Sequence, residues 1–274
     1  MSTWEAVLLG VVQGLTEFLP VSSSGHLVLG KALLGIEINN IVFEIFVHFG
    51  TLLAVLTLFK EEVFLLLKGL RALLLLRFRA NANAANNAEA QGLRLLGLLI
   101  VGTLPAAILG YLFEETFEEA FSHPEFVCGA LVVTGGILLA SRFAHEKQPS
   151  FSFLKAFLVG VAQVGAILPG ISRSGTTISA GMLLGVQKVE SARFSFLLLI
   201  PIVSGATILQ SVRLLSNLPA GVELWKILVG TIAAYFSGLL AIKWLLGVVK
   251  QGRFDRFAYY CFAVGIVGLV IMTA

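Results

Sequence analysis

Six stretches of this chain run for sixteen residues or more almost without charge: 41–59, 95–113, 126–141, 194–212, 227–242 and 257–274. Five hold no charged residue, and the first holds only Glu44 and His48. Apolar runs of about 17–25 residues match the thickness of a bilayer's hydrocarbon core, where helices satisfy their own backbone hydrogen bonds. Only 13% of the chain is charged, against about 25% in soluble domains. The sequence therefore predicts an all-α integral membrane protein with six transmembrane helices, and excludes a soluble enzyme or a disulfide scaffold. Cys128 and Cys261 lie inside apolar runs and form no disulfide framework. The first apolar run has no basic flank before it and carries Glu17 and Pro20, so it is not expected to be a cleaved leader.

Two further apolar stretches, 6–35 and 154–186, are each broken near the centre by proline, glycine and clustered hydroxyls. Paired interruptions at matching places in two halves of a membrane chain point to broken helices lining a site. Laid over each other at an offset of 150, residues 11–26 and 161–176 share Val11/Val161, Gln13/Gln163, Ser22/Ser172, Ser24/Ser174 and Gly25/Gly175. The expected organisation is a first repeat at 1–145 and a second, inverted repeat at 151–274. Each holds one re-entrant helical hairpin (6–35 and 154–186) and three crossings. An interfacial helix is expected at 63–78, where Lys68 and Arg71 interrupt a leucine-rich run, and a polar loop at 80–91.

Charge placement separates hairpins from crossings. If both broken stretches double back, fifteen basic residues fall on one side and three on the other; if both cross, the division is eleven to seven. The positive-inside rule favours the first. It places the basic side in the cytoplasm, and both termini with the Glu114, Glu115, Glu118, Glu119 loop outside. The net charge of +3 then reports orientation, and no nucleic-acid partner is expected.

Ionisable groups at membrane depth are costly and mark function. Gln13 and Glu17 are i,i+4 neighbours before the first break, Ser23 and His26 are i,i+3 neighbours after it, and Arg173 sits in the second break. Each returning limb starts at its buried turn, so its helix N-terminus points inward with free N–H groups and partial positive charge. With Arg173, Ser22, Ser172, Ser174, Gly175 and Thr176 beside those termini, the natural guest is a phosphate or diphosphate. Glu44 and His48 fit a packing pair as well as a cavity lining.

The run Gln13-Gly-Leu-Thr-Glu17-Phe-Leu-Pro-Val-Ser-Ser-Ser-Gly-His26, together with Pro169-Gly-Ile-Ser-Arg-Ser-Gly-Thr-Thr177, resembles the bacterial undecaprenyl-diphosphate phosphatases of the bacitracin-resistance type. The resemblance implies a multi-pass inner-membrane enzyme that cleaves undecaprenyl diphosphate to the monophosphate on the periplasmic side, recycling the lipid carrier of peptidoglycan synthesis. It also implies a divalent cation, Mg or Ca, at Glu17 and Gln13, catalytic roles for Glu17, Ser23 and His26, and a phosphate-gripping Arg173. Relatives often carry glutamate where this chain has Gln13, which leaves one negative charge fewer for the cation. Spacing alone leaves the nucleophile open between Ser23, with His26 as base, and His26 itself. The partners expected are the lipid substrate, membrane lipids and, through glycine-rich crossings such as 129–136, a second copy of the chain. A lipid-phosphate flippase or anion transporter is the rival reading, because inverted broken helices also serve transport.

Overall fold

The computed structural model describes residues 2–34, 41–75, 88–216 and 223–273. The described residues are almost entirely helical: α1 Thr3–Phe18, α2 Ser23–Leu34, α3 Ile41–Leu58, α4 Lys60–Leu74, α5 Ala88–Leu112, α6 Glu114–Ala120, α7 Pro124–Ala140, α8 Phe153–Gly165, α9 Arg173–Leu183, α10 Lys188–Ser216, α11 Leu224–Lys250 and α12 Phe257–Thr273. Among the described residues five segments are long and apolar enough to cross a bilayer, Ala88–Leu112, Pro124–Phe143, Lys188–Ile208, Leu224–Lys250 and Phe254–Met272. A sixth forms if α3 and α4, bent by 91° where they join, count as one span. All six expected crossings fall on helices. Several helices overrun the apolar run that announced them, because lysines at their ends reach water without breaking the backbone ladder. Of the expected polar loop, residues 88–91 open α5 and the rest, like residues 76–78 of the expected interfacial helix, lie outside the described residues.

One end of the bundle is tied by ion pairs and backbone bonds. Arg193 meets Glu62 at 2.9 Å, Arg142 meets Asp255 at 2.7 Å, and Arg94 donates to the Phe151 carbonyl at 3.1 Å. Lys147 N–H donates to the Gly185 carbonyl at 2.8 Å, and Gln187 N–H to the Gln148 carbonyl at 3.1 Å. The chain thus leaves at Gln148, runs out through α8 and back through α9, and closes on itself where it left. The acidic helix α6 lies beyond the far end of α5.

α1 runs alongside α3 and α11, with Ala6 and Gly10 near Gly230, the start of α11, and Phe18 near Gly238 further along. The contact is backbone to backbone: a Cβ on Gly10 would collide with the Gly230 carbonyl oxygen. α8 crosses α5 in the same manner, a Cβ on Gly160 falling 2.5 Å from the Gly102 carbonyl oxygen. Missing side chains let helices approach this closely, the usual route to tight helix association in lipid. Buried Phe18 packs edge-on against Phe196 at 5.6 Å, tying the end of α1 to α10.

Candidate active site

α1 opens on a reciprocal cap between Ser2 and Glu5 and stops at Phe18. Pro20 ends it, since the residue before a proline is driven out of helical geometry; Leu19 accordingly sits at φ −68°, ψ 144°. The chain reverses over 19–22, with Ser22 in the left-handed region at φ 67°. Ser22 Oγ then accepts the Gly25 N–H at 3.2 Å and lies 3.3 Å from Ser24 Oγ.

The same pattern recurs 150 residues later. Ser172 Oγ accepts the Gly175 N–H at 3.1 Å and lies 3.3 Å from Ser174 Oγ. Here Gly170 takes the left-handed step, at φ 93°. Thr134 of α7 fixes this turn from behind, donating to the Gly170 carbonyl at 2.8 Å and accepting the Ser172 N–H at 3.0 Å.

The two turns touch. Ser174 Oγ donates to the Leu19 carbonyl at 3.1 Å, and a Cβ on Gly25 would lie 3.1 Å from Gly170 Cα. Glu17 and Arg173, 156 residues apart in sequence, meet at 2.6 Å between Oε1 and Nη2. Glu17 Oε2 accepts from Gln13 Nε2 and from Ser23 Oγ, each at 3.0 Å, with His48 Nε2 at 3.9 Å. The carboxylate is 9% exposed and the guanidinium 18%. Both carboxylate oxygens are thus engaged, as a nearly dry charge requires. Among the described residues Nη2 is the one guanidinium nitrogen with an acceptor, so the remaining donors of the fork are free for a guest.

A cavity of about 630 Å³ opens beside this pair, lined by Glu17, His48, Gln163, Arg173, Thr103 and, toward the acidic end, Phe121. The carboxylate that holds the Ser23 hydroxyl and a half-engaged guanidinium at the N-terminus of α9 thus border one space. A family model described as Bacitracin resistance protein BacA matches residues 6–267. The chain belongs to the BacA family. Among curated proteins it is 44% identical to an undecaprenyl-diphosphatase of Salinibacter ruber, the match covering 99% of this chain and all of the relative. It is 39% identical to one of Christiangramia forsetii over the whole of both chains, and 38% identical to one of Bacteroides fragilis over 99% of this chain and 98% of that one.

Of the residues that the sequence singles out in this BacA-family chain, Gln13, Glu17, Ser23 and Arg173 converge. Ser22, Ser172, Ser174 and Gly175 are spent on building and joining the turns. Thr176 is buried, its hydroxyl without a partner among the described residues. His26 stands apart. Its Nδ1 lies 2.8 Å from the Ser22 carbonyl, which can only accept, so the neutral ring carries its proton there. Nε2 then holds the lone pair, and the Tyr260 hydroxyl donates to it at 2.7 Å, the two rings stacked 7° from parallel. Tyr260 has no signature in sequence, because α12 is apolar on every face. Glu44 and His48 do line the cavity. An i,i+4 polar pair in an otherwise apolar span was the available signal.

Proposed function

We infer that this chain hydrolyses undecaprenyl diphosphate to undecaprenyl phosphate and inorganic phosphate, recycling the lipid carrier of peptidoglycan synthesis and so conferring bacitracin resistance. The observation that carries the reading is the Ser23–Glu17–Arg173 constellation at the contact of two buried turns, in a chain that matches undecaprenyl-diphosphatases from end to end.

The isoprenoid tail stays in lipid and the diphosphate enters the 630 Å³ cavity. Arg173 and the two helix N-termini neutralise the terminal phosphoryl group, the main source of catalysis in phosphoryl transfer. Ser23 Oγ, already hydrogen-bonded to Glu17, attacks the terminal phosphorus while its proton passes to the carboxylate. The bridging P–O bond breaks and undecaprenyl phosphate leaves. Water then attacks phosphoserine, the Ser23 Oγ–P bond breaks, and Oγ recovers the proton from Glu17. This assignment prefers Ser23 over His26, whose lone pair is occupied by Tyr260. His26 instead braces the Ser22 carbonyl and so the strained turn.

Glu17 and Gln13 would hold a divalent cation, Mg or Ca. Gln13 Oε1 is buried next to the carboxylate without a partner among the described residues, which suits a hard, oxygen-seeking ion. No cluster of three or more His, Cys, Asp or Glu occurs among the described residues, so Glu17 and Gln13 would be the protein's contribution to such an ion. When bound, the ion supplies further charge neutralisation at the phosphates.

The placement follows from the same reading. The α1–α2 and α8–α9 pairs are re-entrant hairpins of two inverted repeats, 1–145 and 151–274, entering from opposite leaflets of the inner membrane. The closure of the chain at Gln148 and Gly185, and the recurrence of the serine caps, support this. The basic end is cytoplasmic, both termini are periplasmic, and α4, turned 91° from α3, lies along the interface. Gly129 and Gly136 of α7, with open space where side chains would be, leave room for a second copy of the chain in a homodimer.

Phosphate release from a prenyl diphosphate by purified protein in detergent, with and without chelator, tests the assignment. Turnover without any gradient supports an enzyme; binding without turnover favours a carrier. Phosphoserine at Ser23 supports the nucleophile, and acid-labile phosphohistidine at His26 contradicts it.

A further inference from the structure

A second cavity, of about 850 Å³, lies on the opposite side of the first turn. Leu15, Leu19 and Val21 line it together with Trp244 and Phe257, and Lys243, Arg253 and Arg256 give it charge. It shares no lining residue with the 630 Å³ cavity and contains no carboxylate. Among the described residues none of its three cations has a salt-bridge partner, while Asp255, their acidic neighbour in sequence, is taken by Arg142 at 2.7 Å.

We propose that this cavity seats the headgroup of a phosphate-monoester lipid drawn from the leaflet at the basic end. Basic pockets between membrane helices select anionic headgroups, and three unpaired cations match a dianionic monoester better than a singly charged diester. The apolar wall supplies what a free phosphate could not use, a surface for the first methylenes of a chain. Trp244 and Tyr260, 56% and 46% exposed, are the amphipathic aromatics found at headgroup depth. The seat borders the catalytic turn from behind: Leu19 and Val21 belong to that turn, and Tyr260 holds His26.

The test titrates full-length protein in detergent with dioleoyl phosphatidic acid, dioleoyl phosphatidylglycerol and dioleoyl phosphatidylcholine, read by native mass spectrometry. One phosphatidic acid per chain is expected, bound about tenfold more tightly than phosphatidylglycerol, since each basic residue contributes roughly 1 kcal/mol toward an anionic lipid. The combined Lys243→Gln, Arg253→Gln, Arg256→Gln variant loses this binding. So does Gly247→Trp, which fills the cavity from a position with open space around its Cβ and leaves the charges intact. Both variants keep the turnover of a short-chain prenyl diphosphate, which reports that they fold. Equal binding of the two anionic lipids, undiminished binding by Gly247→Trp, or full competition by inorganic phosphate would each overturn the proposal.

Discussion

The turn at 19–22 and the turn at 168–172 cap a glycine N–H with a serine hydroxyl in the same way, yet their backbones take the left-handed step at different places and with different residues. The second uses Gly170, which has no Cβ to strain and lies under the Val127 carbonyl of α7. The first uses Ser22, a residue for which that conformation costs on the order of 1 kcal/mol or more. The strained turn is flanked by Glu17 and Ser23, the groups proposed to react; the relaxed one leads into Arg173 and is bolted to Thr134. One half of the site is held ready to react while the other serves as a fixed anvil.

The largest effect expected from breaking this division is at Ser23. Ser23→Ala should lower kcat by about 10⁴-fold or more, as removal of a nucleophile does, with substrate still retained in a pull-down with prenyl diphosphate. Arg173→Lys keeps the charge but loses the planar fork, and steady-state kinetics should show a drop in kcat of about 10²–10³-fold. Thermal unfolding in detergent sharpens the backbone contrast. Gly170→Ala should cost about 3 kcal/mol, because its Cβ meets Ala130 at 2.7 Å and its φ is unfavourable. Ser22→Gly should stay within about 1 kcal/mol of wild type, strain relief offsetting the lost cap. The smallest effect belongs to Tyr260→Phe, which unties His26 without touching Glu17: a fall in kcat of about tenfold or less, with KM unchanged. A Tyr260→Phe enzyme as inactive as Ser23→Ala would mean that His26 does more than brace.

Much of this was legible before any coordinates, for a physical reason. Charge is so expensive in lipid that Glu17 and Arg173 had to find each other or water, and Pro20 and Pro169 announced where helices stop. Their 2.6 Å pairing is the expected meeting of the two breaks. Helix rotation was not legible. In a segment apolar all round, such as α12, periodicity selects no face, so nothing distinguished Tyr260 from Tyr259 as the partner of His26. Equally, His48 at the cavity and the crossing of α8 on α5 depend on how helices far apart in sequence are turned toward each other.

The helix exchange has a consequence for how such a protein is made. α1 leans on α11, near the far end of the chain, and α8 leans on α5 of the opposite half. α1 and α8 therefore each borrow part of their wall from the other half, and a ribosome that has delivered only the first half has made α1 with α3 beside it but without α11. The nascent chain must hold α1, Glu17 included, with that wall unfinished until α11 arrives, so assembly completes only near the end of synthesis and the two halves mature as one.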